Sequence, residues 1–236
     1  MIKTAIILAG GLGTRLRSVV ADLPKCMAPV AGKPFLHFVI EYLVSQGVDT
    51  FIFSLGYKSE MIIDYVNEQY PAVNKHFSIE EEPLGTGGAV KLACGLVKTD
   101  DTLVLNGDTI FKVDINILSS FHQKSRSDCT LSLKPMQDFD RYGVVELNDD
   151  SSISSFQEKQ YYNSGLINGG VYALNVKNFL QEDLPAKFSF EKDYLEAFAD
   201  KKKFHGIVQY QYFVDIGIPE DYERAQMELG VGNQEL

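Results

Sequence analysis

A glycine-rich loop that follows a short apolar stretch is the first candidate for a phosphate-binding site. Residues 6–9, Ile-Ile-Leu-Ala, have the length and apolarity of a strand buried on both faces, and Gly10, Gly11 and Gly13 end that pattern. Glycines let backbone N–H groups come close to an anion, and the planar guanidinium of Arg15 offers donors that match phosphate oxygens. The residues therefore indicate a phosphate-binding loop, with a tight strand-to-helix turn as the simpler alternative.

Two common phosphate-binding motifs do not fit this loop. The dinucleotide motif G-x-G-x-x-G is met at Gly11 and Gly13, but Leu16 stands at its third glycine position. A nucleoside-triphosphate P-loop requires Gly-Lys-Ser/Thr, which does not follow these glycines. The mismatch at Leu16 argues against a dinucleotide-dependent oxidoreductase.

Two aspartates that end apolar stretches could hold a divalent cation. Asp108 follows "TLVLNG", next to Asn106 and Gly107, and Asp215 closes "YFV" before a glycine and a proline. Carboxyl ends of parallel strands share one edge of a sheet, so we expect Asp108 to lie near the glycine loop. Mg²⁺ is usually held by one or two carboxylates, water and substrate phosphates. The sequence therefore predicts a Mg²⁺ site, the alternative being that each aspartate caps its turn.

Several other polar residues could bind a phosphorylated sugar or a leaving pyrophosphate. Lys25 is joined to the glycine loop by a short connection, and its ammonium could neutralise phosphate charge. Glu158 and Lys159 end one strand-like segment, and Asn168 and Gly169 adjoin another. A sugar phosphate needs acceptors for its hydroxyls, a cation for its phosphate and glycines where a polar ring approaches the backbone. Solvated charge and a β-bulge are the alternatives for these four residues.

The composition is that of a folded, acidic globular protein. Its 236 residues are 45% hydrophobic, and 22 basic against 32 acidic residues give a formal net charge of −10. This balance argues against a general nucleic-acid or membrane-surface binder, so any phosphate site must be local. No apolar run reaches the roughly 20 residues that span a bilayer, and no basic leader precedes the first strand. We expect a cytoplasmic protein that binds neither nucleic acid nor membrane.

The cysteines and histidines do not suggest a disulfide framework or a zinc site. Cys26, Cys94 and Cys129 are far apart and form no C-x-x-C pair, and the four histidines have no metal-ligand spacing. We expect three reduced, buried thiols.

Strand-like and helix-like stretches alternate in the first half of the chain. Helical patterns near 33–48, 58–69 and 87–97 separate strand-like stretches at 6–9, 49–56, 76–80 and 102–108. Alternation of this kind predicts a mostly parallel sheet with helices packed against it. In the first helix the apolar face consists of Leu36, Val39, Ile40, Leu43 and Val44.

From about residue 128 the pattern becomes mixed. Strand-like segments near 129–136, 142–148, 152–159 and 169–175 are followed by helical patterns near 189–199 and 219–229. No linker or internal repeat divides the chain. We predict a single domain, residues 1–236, with a nucleotide-binding half at about 1–125 and an acceptor half at about 126–236.

Seven segments resemble, in order, the motifs of the sugar-1-phosphate nucleotidyltransferase family. They are "LAGGLGTRL", "PKCMAPVAGKPFL", "EEPLGTGGA", "NGD", "FQEK", "NGGVY" and "DIGIPEDY", and they span nearly the whole chain. Three longer segments, "DFDRYGVV", "GLINGGVY" and "KFSFEKD", resemble the guanylyl-transferring branch that acts on a manno-heptose 1-phosphate. Cys26 departs from the family pattern, where proline commonly follows the signature lysine, but the departure removes no charged group.

The resemblance implies a fold, a reaction and a set of site residues. The fold is a single-domain, Rossmann-like nucleotidyltransferase α/β fold with a mostly parallel, mixed central sheet flanked by helices. The reaction is transfer of GMP from GTP to a heptose 1-phosphate, with Mg²⁺ as cofactor. Its product would supply the synthesis of a surface polysaccharide. The resemblance is also compatible with a homodimer.

The implied catalytic residues are Arg15, Lys25 and Asp108, and the metal ligands are Asp108 and Asp215. The implied nucleotide-binding residues are Leu8, Ala9, Gly10, Gly11, Gly13, Thr14, Arg15, Glu80, Pro83, Gly85, Thr86, Asn106 and Gly107. The implied sugar-phosphate-binding residues are Tyr142, Gly143, Glu158, Lys159, Asn168 and Gly169.

This reaction explains why no nucleophile constellation of His, Cys or Ser stands out. A sugar phosphate is ionised at neutral pH, so its oxygen can attack the α-phosphorus of the nucleotide without a general base. Catalysis then consists of positioning and charge neutralisation by Mg²⁺, Arg15, Lys25 and Lys159.

The base preference is predicted from Glu80. In thymidylyl- and uridylyl-transferring relatives, the residue three before the proline that matches Pro83 is typically glutamine. Guanine presents N1–H and the N2 amino group side by side, and one carboxylate can accept both. Glu80 therefore favours guanine, with Glu81 and Glu82 as alternative readers and a solvent-exposed charge as the simplest interpretation.

The sequence leaves three alternative functions open. The same reaction could use mannose 1-phosphate as acceptor, or it could use a pyrimidine nucleotide as donor. The fold could also serve a nucleotide-binding regulatory protein without turnover.

Overall fold

The computed structural model describes residues 1–11 and 22–231 and is built around one seven-stranded sheet. The strands are β1 Thr4–Leu8, β2 Pro29–Val30, β3 Lys33–Pro34, β4 Thr50–Leu55, β5 Asn74–Ile79, β6 Asp101–Asn106, β7 Thr109–Phe111, β8 Cys129–Phe139, β9 Val145–Leu147, β10 Ile153–Phe156, β11 Tyr162–Asn175, β12 Phe204–Val208 and β13 Phe213–Asp215. The α-helices are α1 Phe35–Ser45, α2 Ser59–Gln69, α3 Gly85–Cys94, α4 Ile115–Ser125, α5 Val176–Leu180 and α6 Pro219–Val231, and a short π-helix spans Phe190–Glu196.

The central sheet is mixed but mostly parallel. Its strand order is β12-β8-β11-β6-β1-β4-β5. Strand β1 pairs in parallel with both β4 and β6, β4 pairs in parallel with β5, and β8 pairs in parallel with β12. Strand β11 alone is antiparallel to its neighbours, β6 and β8. The predicted mostly parallel sheet is confirmed, and its N-terminal part is the four-strand alternation read from the sequence.

Both faces of the sheet are covered, which explains the continuous apolar runs of its central strands. On one face, residues such as Ile7 and Phe53 pack with buried side chains of α1, α2, α4 and α6. On the other face, Ile6 and Val104 pack with α3, α5 and the π-helix. Adjacent strand residues point to opposite faces, so a strand buried on both sides must be apolar at every position. Within the described part of the chain, no helix is long and apolar enough to cross a membrane.

The apolar face predicted for α1 is right at four positions and wrong at one. Leu36, Val39, Ile40 and Leu43 are at most 1% exposed, whereas Val44 is 42% exposed. Successive helix residues are about 100° apart around the axis. Val44 therefore lies at the edge of the apolar face, whereas its neighbour Leu43 lies within it.

Helix α4 and strand β12 are among the elements that have no counterpart in the sequence prediction, and one helix is shorter than predicted. Helix α4 begins after Asp114, whose side chain accepts a hydrogen bond from the Ile117 N–H at 2.9 Å. This is a normal N-cap, but the helix that follows it contains many polar residues and was not predicted. Strand β12 pairs at the sheet edge with β8. The helix predicted near 189–199 is the shorter π-helix.

Candidate active site

Two adjoining cavities lie along the edge of the sheet where β1 and β6 end. The first cavity, of about 640 Å³, is bordered by the ends of β1 and β6 and by the segment that leads into α3. The second cavity, of about 490 Å³, is bordered by residues of β7, β9, β10, β11 and the π-helix. Asn106 and Glu191 border both cavities. The carboxyl edge of the parallel strands thus carries both cavities, which is where open α/β sheets bind their ligands.

The structure gathers the residues implied for the nucleotide into the first cavity, which we call the nucleotide cavity. Its lining includes Leu8, Ala9, Gly10, Gly11, Lys25, Glu80, Pro83, Gly85, Thr86, Asn106, Gly107 and Asp108. Gly13, Thr14 and Arg15, also implied for this site, lie outside the described residues.

The residues implied for the sugar phosphate line the second cavity, which we call the acceptor cavity. They are Tyr142, Gly143, Glu158, Lys159, Asn168 and Gly169, and the implied metal ligand Asp215 lies there too. Residues that the sequence places in eight separate segments therefore meet at two adjacent sites.

Close backbone approach explains two glycines in the lining of the nucleotide cavity. A β-carbon on Gly107 would lie 2.7 Å from the Leu8 carbonyl oxygen, and one on Gly10 would lie 3.0 Å from the Gly56 nitrogen. The Gly107 N–H donates a 2.8 Å hydrogen bond to the Leu8 carbonyl, which fixes the turn after β6 against the end of β1. Side chains at these positions would separate the end of β1 from the ends of β4 and β6.

A lysine and two aspartates meet where the two cavities adjoin. The Lys25 Nζ lies 2.5 Å from Asp108 Oδ2 and 3.2 Å from Asp215 Oδ1. The Gly217 N–H donates a 2.8 Å hydrogen bond to Asp215 Oδ1, and antiparallel pairing of β7 with β13 brings Asp215 beside Thr109. Two carboxylates that contact one ammonium nitrogen can share one cation.

These two carboxylates fit the chemistry of a Mg²⁺ site. Among residues 1–11 and 22–231, no group of three or more His, Cys, Asp or Glu side chains is arranged to hold a metal ion. Mg²⁺ is commonly bound by one or two carboxylates together with water and substrate phosphates, so two aspartates are enough protein ligands for such a site.

Cys26 follows the bridging lysine but is chemically quiet. It is 3% exposed, and its thiol lies 3.9 Å from the Ala9 carbonyl oxygen. Burial, together with the negative charge of Asp108, raises the pKa of this thiol to about 12. The thiol stays protonated at neutral pH, and a protonated thiol is a poor nucleophile. All three cysteines are buried and free, as predicted.

The two carboxylate oxygens of Glu80 have different neighbours. Its Oε2 accepts a 2.7 Å hydrogen bond from the Leu84 N–H, which fixes the loop before α3. Its Oε1 faces Gly10, where a β-carbon would approach to 3.3 Å. Glu81 and Glu82 are exposed and line the same cavity. All three carboxylates are therefore within the cavity wall, and Glu80 is the one that the backbone orients.

Tyr142 forms an aromatic wall of the acceptor cavity. Its ring lies 5.4 Å from the Arg141 guanidinium carbon and packs edge-on against Phe213 at 6.0 Å. Arg141 in turn contacts Asp221 at the start of α6. Burial raises the pKa of Tyr142, and the charge of Asp215 adds to this effect. The tyrosine hydroxyl therefore stays a neutral donor at any physiological pH.

Asn168 and Gly169 lie where β11 departs from regular pairing. The register between β11 and β8 shifts between Asn168 and Tyr172. Asn168 Nδ2 donates to the Tyr172 hydroxyl at 2.9 Å, and a β-carbon on Gly169 would lie 2.3 Å from the Phe111 ring. The register shift agrees with the β-bulge alternative for the backbone, and both residues line the acceptor cavity.

Residues on the π-helix also line the site, and sequence reasoning assigned them no role. Glu191, Lys192 and Glu196 border the acceptor cavity, after Ser189 caps the helix by accepting the Lys192 N–H. Glu191 and Lys192 belong to the segment "KFSFEKD", which carries the family resemblance, whereas Glu196 lies beyond it.

Comparisons with known proteins agree with this geometry. The chain matches the nucleotidyl transferase family model over residues 4–231. It is 51% identical over 225 residues to the D-glycero-alpha-D-manno-heptose 1-phosphate guanylyltransferase of Aneurinibacillus thermoaerophilus, covering 95% of this chain and 97% of that one. It is 46% identical over 218 residues to the protein of the same name from Campylobacter jejuni, covering 92% and 96%. The crystal structure of HddC from Yersinia pseudotuberculosis complexed with GMP-PN has a TM-score of 0.86 and 42% identity, covering 97% of this chain and 100% of that chain. The predicted Rossmann-like nucleotidyltransferase fold is confirmed.

Proposed function

Because the chain belongs to the nucleotidyl transferase family, we propose that it transfers GMP from GTP to D-glycero-α-D-manno-heptose 1-phosphate, giving GDP-heptose and pyrophosphate. The observation that carries this proposal is the contact of Lys25 with Asp108 and Asp215 where the two cavities adjoin. Relatives that match over nearly their whole length carry the guanylyltransferase name, and one solved relative is complexed with a guanine nucleotide analogue.

The two cavities correspond to the two halves that we assign to a single domain of residues 1–236. The nucleotide half, about 1–125, supplies the floor of the nucleotide cavity, and the acceptor half, about 126–236, supplies most of the acceptor cavity. Asp215 comes from the acceptor half and Lys25 from the nucleotide half, and they touch. The reacting phosphates of the two substrates would meet at this contact.

In this reaction the residues act by position and charge. An ionised oxygen of the sugar phosphate attacks the α-phosphorus in line, the bond to the bridging oxygen breaks, and pyrophosphate leaves with that bond's electron pair. We assign Lys25 and Arg15 to the triphosphate and Lys159 to the acceptor phosphate, where each cation offsets negative charge. The buried, protonated thiol of Cys26 takes no part.

Asp108 and Asp215 would hold the Mg²⁺ ion that we propose as cofactor. When bound, a divalent cation beside the phosphates neutralises charge that develops on their oxygens. These two carboxylates are the groups that the described residues offer for it, and their approach to one nitrogen supports that assignment. We place the reaction in the cytoplasm, where GTP and a sugar 1-phosphate are both available.

A turnover panel tests the proposal directly. We expect pyrophosphate release with GTP, Mg²⁺ and the heptose 1-phosphate, and at least tenfold lower kcat/KM with mannose 1-phosphate or with UTP and dTTP. Preference for mannose 1-phosphate or a pyrimidine nucleotide would reassign the substrates. Nucleotide binding by calorimetry without turnover on any acceptor would favour a regulatory protein.

Lys159 is expected to act on the acceptor alone. Lys159 is exposed on the wall of the acceptor cavity, and in Lys159→Ala the acceptor phosphate loses a charged partner. A hydrogen bond to a charged group contributes roughly 1.5–3 kcal/mol, so the KM for sugar phosphate should rise about 10- to 100-fold while the KM for GTP changes little. Steady-state kinetics in both substrates, with the exposed Lys177→Ala on α5 as control, measures this split. An equal rise in both KM values would contradict the assignment.

Glu80 is expected to set the base preference. In Glu80→Gln the amide oxygen can still accept the Leu84 N–H, so the loop anchor survives while the guanine N1–H and N2 donors lose their shared carboxylate. The kcat/KM for GTP should fall roughly 10- to 100-fold, and that for UTP or dTTP should fall less or rise. Glu81→Gln and Glu82→Gln are matched controls in the same wall. If Glu80→Gln keeps its full GTP preference while Glu81→Gln or Glu82→Gln loses it, the base contact belongs to that neighbouring residue.

A further inference from the structure

Glu191 occupies a place that the reaction described above does not use. It lies at the beginning of the π-helix Phe190–Glu196 and borders both the nucleotide cavity and the acceptor cavity. Asn106 is the other residue that borders both among those in the described ranges, and it belongs to the end of β6. Glu191 thus brings a carboxylate to the point where two phosphorylated substrates would meet.

One oxygen of this carboxylate is held by two hydroxyl groups. Glu191 Oε2 accepts a 2.8 Å hydrogen bond from the Thr86 hydroxyl and a 3.3 Å hydrogen bond from the Ser189 hydroxyl. The Thr86 oxygen accepts the Phe190 N–H at 2.9 Å, so its own proton is free for Glu191. Glu191 Oε1 has no hydrogen bond to any residue in 1–11 or 22–231.

The threonine that orients Glu191 belongs to a rigid contact between the two halves. Gly85 has a φ of +71°, and a β-carbon there would lie 2.6 Å from the Phe188 carbonyl oxygen. The Phe188 N–H donates to the Leu84 carbonyl at 3.0 Å, and the Gly87 N–H donates to the Phe188 carbonyl at 3.0 Å. The Thr86 hydroxyl is therefore fixed in space by backbone contacts on both sides, and it fixes the carboxylate in turn.

The charges around Glu191 indicate which substrate group it would meet. Glu158 and Glu196 line the same cavity, and burial together with the charge of Glu158 raises the pKa of Glu196. A wall with three carboxylates repels phosphate, but carboxylate oxygens accept hydrogen bonds from sugar hydroxyls. Lys159 and Lys192, in the same cavity, are suited to the phosphate instead.

We propose that Glu191 is a specificity-determining residue that accepts a hydrogen bond from a hydroxyl group of the acceptor sugar through Oε1, with Thr86 as the residue that positions its carboxylate. This inference rests on the proposed function for the identity of the acceptor. Glu191 acts on the sugar rather than on the nucleotide ribose, because the other cavity residues of its π-helix, Lys192 and Glu196, border the acceptor cavity and not the nucleotide cavity. Ser189, which donates to its carboxylate, also borders the acceptor cavity alone.

The variant Glu191→Gln tests the contact with little change in shape. The amide oxygen can still accept the Thr86 hydroxyl, but the amide nitrogen then replaces the free oxygen with a donor. The KM for the heptose 1-phosphate should rise at least roughly tenfold, with the KM for GTP within about twofold of wild type. Thr86→Val, which keeps the shape but removes the hydroxyl, should shift acceptor KM in the same direction, and Thr86→Ser should recover most of that loss. Exposed Glu60→Gln on α2 is the control for the substitution itself.

Binding and sugar analogues separate this inference from the proposed function. Calorimetric titration with the heptose 1-phosphate needs no turnover, so weaker binding to Glu191→Gln supports the role even if wild-type protein releases no pyrophosphate. A set of monodeoxy sugar 1-phosphates should include one whose binding is equally weak in wild type and variant. Unchanged acceptor affinity in Glu191→Gln overturns the inference. A raised KM for GTP, with lost discrimination between GTP and dGTP, also overturns it and assigns Glu191 to the ribose.

Discussion

Asp108→Asn leaves the protein folded and lowers kcat by roughly 10²- to 10⁴-fold, because charge stabilisation by a bound metal ion is worth several kcal/mol. The backbone of this turn is held independently of the side chain: the Gly107 N–H donates to Leu8, and the Ile216 N–H donates to the Asp108 carbonyl at 3.1 Å. The loss is therefore expected in turnover and not in folding.

Asp215→Asn should give a loss of similar size. Its amide oxygen can still accept the Gly217 N–H, so the loop after β13 is retained. If both carboxylates hold one cation, the double variant should lose little more than either single variant, since the unit is already broken.

Turnover and the thermal midpoint by circular dichroism check these expectations together. Asp149→Asn, an exposed aspartate outside both cavities, is the matched control. A near-normal kcat in either folded variant would remove that residue from the metal site, whereas a lowered midpoint would assign the loss to folding.

Lys25→Gln is expected to have two opposite effects. The ammonium contacts both carboxylates, at 2.5 Å from Asp108 and 3.2 Å from Asp215, so a divalent cation bound by both must compete with it. Turnover should fall at least roughly 100-fold, because a cation that neutralises phosphate charge is lost. In the absence of nucleotide, affinity for Mn²⁺ should rise about tenfold or more, because two carboxylates are left without their partner.

Kinetics and electron paramagnetic resonance of free Mn²⁺ measure the two effects separately. The exposed Lys98→Gln, outside both cavities, is the control. Lower turnover with unchanged Mn²⁺ affinity would leave Lys25 as a phosphate ligand but reject competition for the carboxylates. Retained turnover would reject its catalytic role.

The local sequence pattern was sufficient to predict the buried strands, the glycines at close backbone contacts and several cavity-lining polar residues. The run Ile6 to Ala9 is apolar at every position because both faces of its strand are covered, and that burial is visible in the residue types themselves. The glycines at 10 and 107 stand where backbones approach closely. Residues such as Glu158, Lys159 and Asn168 were read as polar groups beside strands, and they line a cavity.

Strand direction and peripheral elements were not determined in this way. An apolar run such as Val171 to Leu174 reads alike whether its strand is parallel or antiparallel, so the reversal of β11 was not predictable. Helix α4 has a normal cap but a weakly apolar face, and Val44 lies at the edge of an apolar stripe.

The sequence by itself determined which residue types the site contains and which buried strands carry them. Only the tertiary structure decided which of these side chains contact each other. Lys25 meets Asp215 across 190 positions of chain because β13 pairs with β7, and Thr86 meets Glu191 across 105 positions because Gly85 and Gly87 allow close contact with Phe188. Contacts between such distant residues depend on strand pairing and packing of the whole chain, which no local spacing encodes.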